Sequence, residues 1–262
     1  METNTEGFKN VAVGRRSLYM NTTGDLNTAV GYYSMYNNTT SNENAAYGSQ
    51  SLFSNTTGSS NNAIGVNALY SNTTGTQNTA TGIGALYSNT TGTQNTATGT
   101  YALTNNTTAS YNSAFGKYCL HANTTGTYNT AAGYDALKLN TTGNFNTASG
   151  IQALYSNTTG GNNSAFGRAS LYTNTTASNN TATGSLALHS NTTGDNNAAS
   201  GYQSLYLNTT GSRNTAFGVK ALYSCTTATN NTAVGVDALY AATTGSEQGN
   251  VAVGDQAGNL IT

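Results

Sequence analysis

Residues 72–88 read NTTGTQNTATGIGALYS, and residues 89–105 repeat the first eleven letters without change. The same unit recurs at a spacing of 17 residues from residue 4 to residue 241, and no insertion interrupts it there. A fixed period without insertions indicates that one structural unit is stacked many times. We number the unit from its first Asn, so that it becomes N-T-T-G-x-x-N-T-A-x-G-x-x-A-L-Y-S, positions 1 to 17.

The ends of the repeat array are irregular. Residues 4–7, Asn-Thr-Glu-Gly, form a degenerate first copy, and Cys225 replaces the Asn of position 1 near the other end. Close to the C-terminus one spacing also grows to nineteen residues. Terminal repeats of solenoids are commonly atypical. We therefore predict a single repeat domain over residues 1–262, with a degenerate coil at 1–20 and an atypical coil at 242–262.

The composition indicates an ordered chain with few electrostatic partners. Only 6% of the residues are charged, against about 25% in ordinary globular domains, and the net charge is −1. Disorder usually combines low hydrophobicity with high net charge, whereas this chain has eighteen Tyr and a Leu in nearly every unit. It has no basic footprint for nucleic acid and no polybasic patch for a membrane. No apolar run approaches the ~20 residues that span a bilayer, and the N-terminus lacks the pattern of a secretory signal.

The small and aliphatic positions predict a narrow core. Ala at position 9 and a small residue at position 14 suit an interior in which stacked coils leave no room for large side chains. Leu at position 15 would supply the bulk of that core. The predicted core includes Ala29, Ala63, Ala80, Ala97, Leu52, Leu69, Leu86 and Leu154.

The Gly and Asn positions predict corners and ladders. Gly at positions 4 and 11 marks places where the chain needs positive φ or a close backbone approach. Asn at positions 1 and 7 can stack, each side-chain amide bonding to the copy in the next coil, as in other stacked β structures. The predicted ladder at position 7 includes Asn27, Asn44, Asn61, Asn78 and Asn95.

The repeat length favours an all-β fold, a parallel β-solenoid or β-roll of about fifteen 17-residue coils. A hairpin array would favour Asn-Gly or Asp-Gly turns, and the chain has neither dipeptide. Helical solenoids use units of about 33 or more residues and stronger helix formers. A short strand is expected at positions 8 to 10, while Ala-Leu-Tyr-Ser forms a second strand, a tight turn or a helical turn. At the ~4.8 Å strand spacing, such coils would make a rod of roughly 70 Å.

The aromatic residues of position 16 form the candidate interaction surface. If Leu and Tyr were neighbours in a strand, they would face opposite ways, so Leu inside would put Tyr outside. An exposed aromatic stripe of that length usually marks an interface with another chain or a ligand. The stripe comprises Tyr19, Tyr36, Phe53, Tyr70, Tyr87, Tyr155, Tyr172, Tyr206, Tyr223 and Tyr240.

These motifs resemble two groups of bacterial and phage proteins. Asn-Val-Ala-Val-Gly, which begins at Asn10 and again at Asn250, is similar to the head repeats of trimeric autotransporter adhesins. The longer unit resembles repeats in proteins described as tail-fibre-like. The resemblance covers residues 4 to 258 and implies left-handed coils and three chains side by side. The adhesin unit is shorter, and this chain shows neither a coiled-coil stalk nor a membrane anchor.

The residues that carry chemistry are too scattered to form a site in such a fold. Cys119 and Cys225 lie seven coils apart by count, far beyond disulfide reach, and we expect two buried or tolerated thiols. Because Cys225 replaces a ladder Asn, exposure sufficient to link two chains is the alternative. His121 and His189 substitute in the aromatic stripe and stand too far apart to share a metal. We therefore predict no enzyme activity, no metal and no cofactor.

Two repetitive features suggest further roles. Every Asn-Thr-Thr is a sequon, so a eukaryotic secretory route would offer glycosylation sites, and the alternative is that these Asn serve the corners. The Thr-Thr pairs would form rows like those of ice-binding β-solenoids, although strand pairing explains β-branched residues equally well. The candidate glycosylation sites are Asn21, Asn55, Asn72, Asn89, Asn123 and Asn140.

The sequence therefore predicts a structural and adhesive fibre segment, the shaft or head of a cell-surface adhesin or phage tail fibre. The expected partners are copies of the chain itself, as a homotrimer or filament, and a surface glycan or protein receptor. The expected location is extracellular, on a cell surface or a virion. The alternative is a subunit of an extracellular filament, and a lesser alternative is an ice-binding solenoid. Nucleic acid and membrane insertion are not expected.

Overall fold

A computed structural model describes residues 4–241 and 249–259 of the chain. The chain divides into two compact units, residues 1–129 and residues 130–262. Part of the predicted atypical C-terminal coil, residues 242–248 and 260–262, lies outside the described residues. Within the described part, no helix combines the length and the hydropathy that crossing a membrane requires.

Regular secondary structure in both units consists of three-residue β-strands. The first unit contains β1 (Val11–Val13), β2 (Thr28–Val30), β3 (Ala45–Tyr47), β4 (Asn62–Ile64), β5 (Thr79–Thr81), β6 (Thr96–Thr98) and β7 (Ser113–Phe115). The second unit contains β8 (Thr130–Ala132), β9 (Thr147–Ser149), β10 (Ser164–Phe166), β11 (Thr181–Thr183), β12 (Ala198–Ser200), β13 (Thr215–Phe217), β14 (Thr232–Val234) and β15 (Val251–Val253).

Strands that follow one another in a unit pair in parallel and in register. In the first unit Ala80 lies opposite Ala63 on one side and Ala97 on the other, which is one repeat in each direction. The second unit follows the same rule, and the last step pairs Ala233 with Ala252 across the longer spacing. Each unit is therefore a parallel β-solenoid, and the strand occupies positions 8 to 10 as predicted.

The core consists of the predicted small and aliphatic columns. The Ala of position 9 is fully buried from the second coil to the end of the first unit and at most 8% exposed in the second. Leu, or Met35, at position 15 has no exposed surface in any described coil from Leu18 to Leu239. Each buried Leu contributes roughly 1.5–3 kcal/mol by leaving water. Stacking the coils therefore assembles a core that no coil has alone.

The Ala-Leu-Tyr-Ser segment is a turn, which resolves the alternatives that the sequence left open. Residues 83–88, positions 12 to 17 of one coil, lie entirely in this turn. Its backbone is bound to the next coil, since the N–H of Leu86 donates to the carbonyl of Ala102 at 3.0 Å. Leu and Tyr therefore face opposite ways because of the turn and not because of a strand.

Three positions in the coil that are usually not Gly adopt the left-handed conformation. In the fourth and fifth coils Asn67, Leu69 and Gln77 have φ of 59°, 52° and 58°, and the same positions behave alike elsewhere. This conformation costs an L-residue roughly 1–2 kcal/mol. Burial of the Leu side chain and the hydrogen bonds between coils offset the cost. The corners are thus made by ordinary residues as well as by Gly.

The two Gly positions serve the corners in different ways. Gly82, at position 11, has φ +132°, a conformation that side-chain-bearing residues rarely adopt. Gly75, at position 4, lies so close to the next coil that a Cβ there would sit 2.5 Å from the carbonyl oxygen of Gly92. The φ of position 11 requires Gly, whereas the close approach at position 4 favours Gly but tolerates Ser or Ala, which four other coils carry there.

Candidate functional site

The Asn of position 1 forms a buried ladder that connects the coils. Asn72 has no exposed surface, and its Nδ2 donates to the side-chain oxygen of Asn55 at 2.8 Å and to the carbonyl of Gly75 at 3.0 Å. Asn89 repeats this pair of bonds one coil further. Each amide therefore holds its own corner closed and holds the previous coil in register.

The Asn of position 7 forms the second ladder, as predicted. The backbone N–H of Asn78 donates to Oδ1 of Asn61 at 3.0 Å, and its Nδ2 donates to the carbonyl of Gly92 in the next coil at 2.8 Å. That carbonyl also accepts the Nδ2 of Asn89 at 3.0 Å. The two ladders thus meet at position 4. Of the predicted members, all are buried: Asn27, Asn44, Asn61, Asn78 and Asn95.

The ladder of position 1 uses the same nitrogen that a glycan would modify. A glycan on Asn72 Nδ2 would replace a ladder hydrogen and would need space that the fold fills. All six candidate sites have 0% exposed surface: Asn21, Asn55, Asn72, Asn89, Asn123 and Asn140. Glycosylation remains a prediction, and the folded geometry supports the corner role of these residues.

The two Thr columns differ in their availability. The hydroxyl of Thr73, at position 2, donates to the carbonyl of Thr90 in the next coil at 3.1 Å. Thr74, at position 3, is exposed. One hydroxyl row is therefore part of the hydrogen bonding between coils, and only the other faces water. The ice-binding hypothesis remains a prediction that rests on the exposed row.

The predicted aromatic stripe is a ladder of stacked rings in the first unit. Neighbouring rings lie 5.0–5.5 Å apart between centroids, with planes within 11° of parallel. The members are Tyr19, Tyr36, Phe53, Tyr70 and Tyr87. Position 16 then carries Thr104 and His121 in the next two coils. The aromatic ladder of the first unit therefore ends at Tyr87.

The second unit has an aromatic ladder of its own. Rings stack at 5.0–5.3 Å over six coils, and the Nζ of Lys138 lies 5.6 Å from the centroid of the first ring. The ladder comprises Tyr155, Tyr172, His189, Tyr206, Tyr223 and Tyr240. His189 thus stacks between two Tyr rings. Burial, with a smaller contribution from the charge of Arg168, lowers the pKa of His189 below its usual value of 6.5.

Stacking changes what the stripe offers to a partner. Each inner ring uses both faces on its neighbours, as Tyr70 does between Phe53 and Tyr87. The rings are half-buried, so a partner would meet ring edges and phenol hydroxyls. Aromatic pairs contribute about 0.5–1.5 kcal/mol beyond burial. The stripe therefore stabilises the coils in addition to any part it plays in binding.

The structure exposes a second apolar surface, which the sequence analysis missed. We call it the glycine-flanking face, since it consists of the side chains at positions 10 and 12 on either side of the Gly of position 11. In the first unit its large exposed members are Val13, Tyr32, Tyr47, Ile64, Val66, Ile83 and Phe115. Ile83, for example, is 50% exposed. The sequence signal for this face was the presence of large apolar residues at two variable positions of the repeat.

Both thiols are buried, and the exposure considered for Cys225 is wrong. Cys119 and Cys225 each have no exposed surface. Cys225 points into the coil like the Asn that it replaces, with Sγ 3.7 Å from the carbonyl of Ala228. Burial raises the pKa of Cys225 to about 11. Because the Cys225 thiol is protonated and buried, it does not form a disulfide between folded chains.

Charged residues make isolated contacts. Lys138 pairs with Asp135 at 3.1 Å, and the Arg16 guanidinium donates to the Tyr33 hydroxyl at 2.7 Å. Among residues 4–241 and 249–259, no three His, Cys, Asp or Glu side chains gather into a group that could hold a metal ion.

No model of a protein family matches the chain, and no curated protein sequence is similar to it. What the fold establishes is a parallel β-solenoid with a 17-residue period and buried Asn ladders.

Proposed function

We propose that this chain is a structural and adhesive segment of a surface fibre, the shaft or head of a cell-surface adhesin or a phage tail fibre. The single observation that carries the proposal is that each kind of side-chain contact forms a column repeated from coil to coil. Backbone bonds, two Asn ladders, a Thr row and an aromatic ladder all run between coils within a unit. The resemblance to adhesin heads and tail-fibre-like repeats supports the same role.

The mechanical part of this role follows from the ladders. Separating two coils of a unit breaks backbone bonds at several positions of the turn and the strand, together with two Asn side-chain contacts. Each hydrogen bond contributes about 0.5–1.5 kcal/mol net, and these bonds act together when a coil detaches. A segment built in this way resists extension, as a fibre requires.

The adhesive part rests on repetition. A column presents the same side chain once per coil, so many weak contacts act together and raise avidity without any strong single site. Two surfaces of the first unit recur from coil to coil, the first with nearly constant side chains and the second with side chains that vary between coils. One is the half-buried edge of the aromatic ladder, and the other is the exposed glycine-flanking face.

Self-association belongs to the same proposal. The adhesin resemblance implies three chains, and the glycine-flanking face offers a surface for contact between copies. From the second to the sixth coil this face carries no charged residue, and it includes Tyr47, Ile64, Val66 and Ile83, each at least 41% exposed. Contiguous apolar patches of this kind usually mark interaction sites. The proposed location is extracellular, on a cell or a virion.

Beads coated with the chain at graded surface densities test the adhesive role. A panel of bacterial and animal cell surfaces would serve as targets, with beads coated by an unrelated neutral protein as the control. Repeated weak contacts predict that adhesion to at least one target rises more steeply than in proportion to density. Absence of adhesion to every target at the highest density would refute the proposal.

A further inference from the structure

The aromatic ladder of the first unit ends on an open ring face. Tyr87 stacks on Tyr70 through one face, at 5.0 Å and 3° from parallel. The next coil places Thr104 where the following ring would stand, and its hydroxyl donates to the carbonyl of Gly84 at 3.3 Å. A Thr side chain is far shorter than a Tyr ring. Among the described residues no ring stacks on the second face of Tyr87.

At two other ladder ends the last ring lies beside a cation. The guanidinium of Arg16 lies 5.5 Å from the ring centroid of Tyr19, and the Nζ of Lys138 lies 5.6 Å from that of Tyr155. Cations favour these positions because the face of an aromatic ring carries negative potential. The same potential at Tyr87 attracts other positively polarised groups, including C–H bonds next to oxygen.

Polar groups surround this open face. Tyr101 leans over Gly84, where a Cβ would come within 2.7 Å of the Tyr101 ring, and it stacks on Tyr118 at 5.7 Å. Tyr101 is 39% exposed, and Asn105, directly after Thr104, is exposed as well. The open face of Tyr87 therefore lies near hydroxyl and amide groups that can bind a polar ligand.

The width of the gap suits one ring. His121 occupies position 16 two coils beyond Tyr87, which at the strand spacing is roughly 10 Å along the solenoid. Carbon contacts of ~3.5–4.0 Å on each side use most of that distance. That distance holds one ring, since the stacked rings of the ladder stand 5.0–5.5 Å apart, and the polar groups around the gap favour a saccharide ring over an aromatic one. A saccharide ring also offers C–H groups to Tyr87 and hydroxyls to the polar groups around it.

We propose that this gap, between Tyr87 and His121 with Thr104 as its floor, binds one pyranose ring of a surface saccharide. The inference rests on the proposed adhesive role and names the ligand class of that role. The ring stacks its C–H face on Tyr87 and exchanges hydrogen bonds with Asn105 and Tyr101. The columns supply avidity, and the gap adds a preference for carbohydrate.

Saturation-transfer NMR on the full chain tests this proposal. The probes are the methyl β-glycosides of glucose, galactose and N-acetylglucosamine. We expect transfer to the ring C–H protons of at least one of them. Thr104→Tyr places a ring in the gap and completes the ladder, so it should weaken binding about two- to tenfold, as the loss of one ring-stacking contact implies. Its far-UV CD and unfolding midpoint should match or exceed those of the wild type.

Thr100→Tyr is the matched control, since it adds the same side chain to the same coil at position 12, where Tyr32 stands in another coil. It should bind like the wild type. The proposal is overturned if no glycoside binds, if Thr104→Tyr binds as well as the control, or if N-acetyltyrosine amide binds and the glycosides do not.

The bead assay separates this proposal from the adhesive role. Adhesion of wild-type beads without any glycoside binding overturns the saccharide site and leaves the adhesive role intact. The opposite result is also informative. If the wild-type chain binds a glycoside, Thr104→Tyr removes that binding and wild-type beads adhere to no surface, the saccharide site is supported and the adhesive role is contradicted.

Discussion

The side-chain oxygen of Asn208 is buried without a hydrogen-bond partner, because Cys225 stands where the next ladder Asn would donate to it. One coil earlier the ladder is complete, since Asn208 Nδ2 donates to Asn191 Oδ1 at 2.7 Å. A thiol is a weak donor, and the Sγ of Cys225 lies near the carbonyl of Ala228. The second unit thus carries a defect in one of the two ladders that hold its coils together.

Cys225→Asn should repair this defect and stabilise the chain. The new Nδ2 would donate to Asn208 Oδ1 and to the carbonyl of Ala228, as the other ladder Asn residues do. We expect the free energy of unfolding to rise by about 1 kcal/mol, the net contribution of one hydrogen bond. Denaturant unfolding measures it. Cys225→Ala is the control, and equal stability of the two variants would contradict the ladder account.

Removing a ring from the middle of the aromatic ladder should cost more than removing one from its end. Tyr70→Ser breaks two stacks, with Phe53 and Tyr87, whereas Tyr87→Ser breaks one. The difference between the two losses therefore combines one stacking contact of about 0.5–1.5 kcal/mol with the greater burial of a ring that is covered on both faces. Unfolding midpoints of the two variants test this. Equal losses would mean that the stacked rings do not support the coils.

The stability of the second unit should fall in acid through His189. Its folded pKa lies below the unfolded value of 6.5, mainly because of burial, so the unfolded chain binds the proton more tightly. The stability that His189 contributes is complete above pH 6.5 and is lost as the pH falls from 6.5 through its folded pKa. His189→Tyr keeps a ring in the ladder and should flatten this dependence. An unchanged pH profile of unfolding in that variant would rule out His189 as the cause.

Charges on the glycine-flanking face should disrupt association between copies. Ile64→Lys together with Ile83→Lys places two cations on the exposed apolar columns, and burying them against a second copy is costly. Sedimentation velocity should show a smaller species than for the wild type. Gln77→Lys with Gln94→Lys is the control, because these residues are exposed at position 6 and carry the same added charge. If the sedimentation coefficient falls in both variants, or in neither, this face is not the contact between copies.

Much of the fold was predictable because every coil adopts the same local structure. A column of Ala, Leu or Asn at a constant spacing identifies a shared environment even when a single Ala80 or Asn78 does not. The strand at positions 8 to 10, the core and both Asn ladders followed from this. The handedness and the number of chains remain proposals from the resemblance.

The turn was not predictable from local preferences. Leu69 and Gln77 adopt positive φ, which their residue types disfavour, because burial and hydrogen bonds between coils outweigh the local cost. The sequence pattern assigns corners to Gly and Asn, and not to Leu or Gln, for the same reason. It also treated Tyr70 as an outward strand residue, whereas the turn stacks its ring between two others. Such interactions exist only between coils, so no single coil reveals them.

The central claim is that the coil is the unit of both the fold and the binding. Deleting residues 38–54 removes one whole coil, and deleting 38–71 removes two, while the chain on either side stays in register. Deleting 38–45 removes about half a coil and places core residues out of register. The open face at Tyr87 is untouched in all three variants.

Adhesion of beads that carry these chains at one fixed surface density is the most direct measurement. The account predicts that adhesion falls stepwise with each whole coil removed from a chain that remains folded, and that the half-coil deletion loses fold and adhesion together. Adhesion that is the same in the wild type and in both whole-coil deletions would contradict it, as would a half-coil deletion that folds and adheres normally.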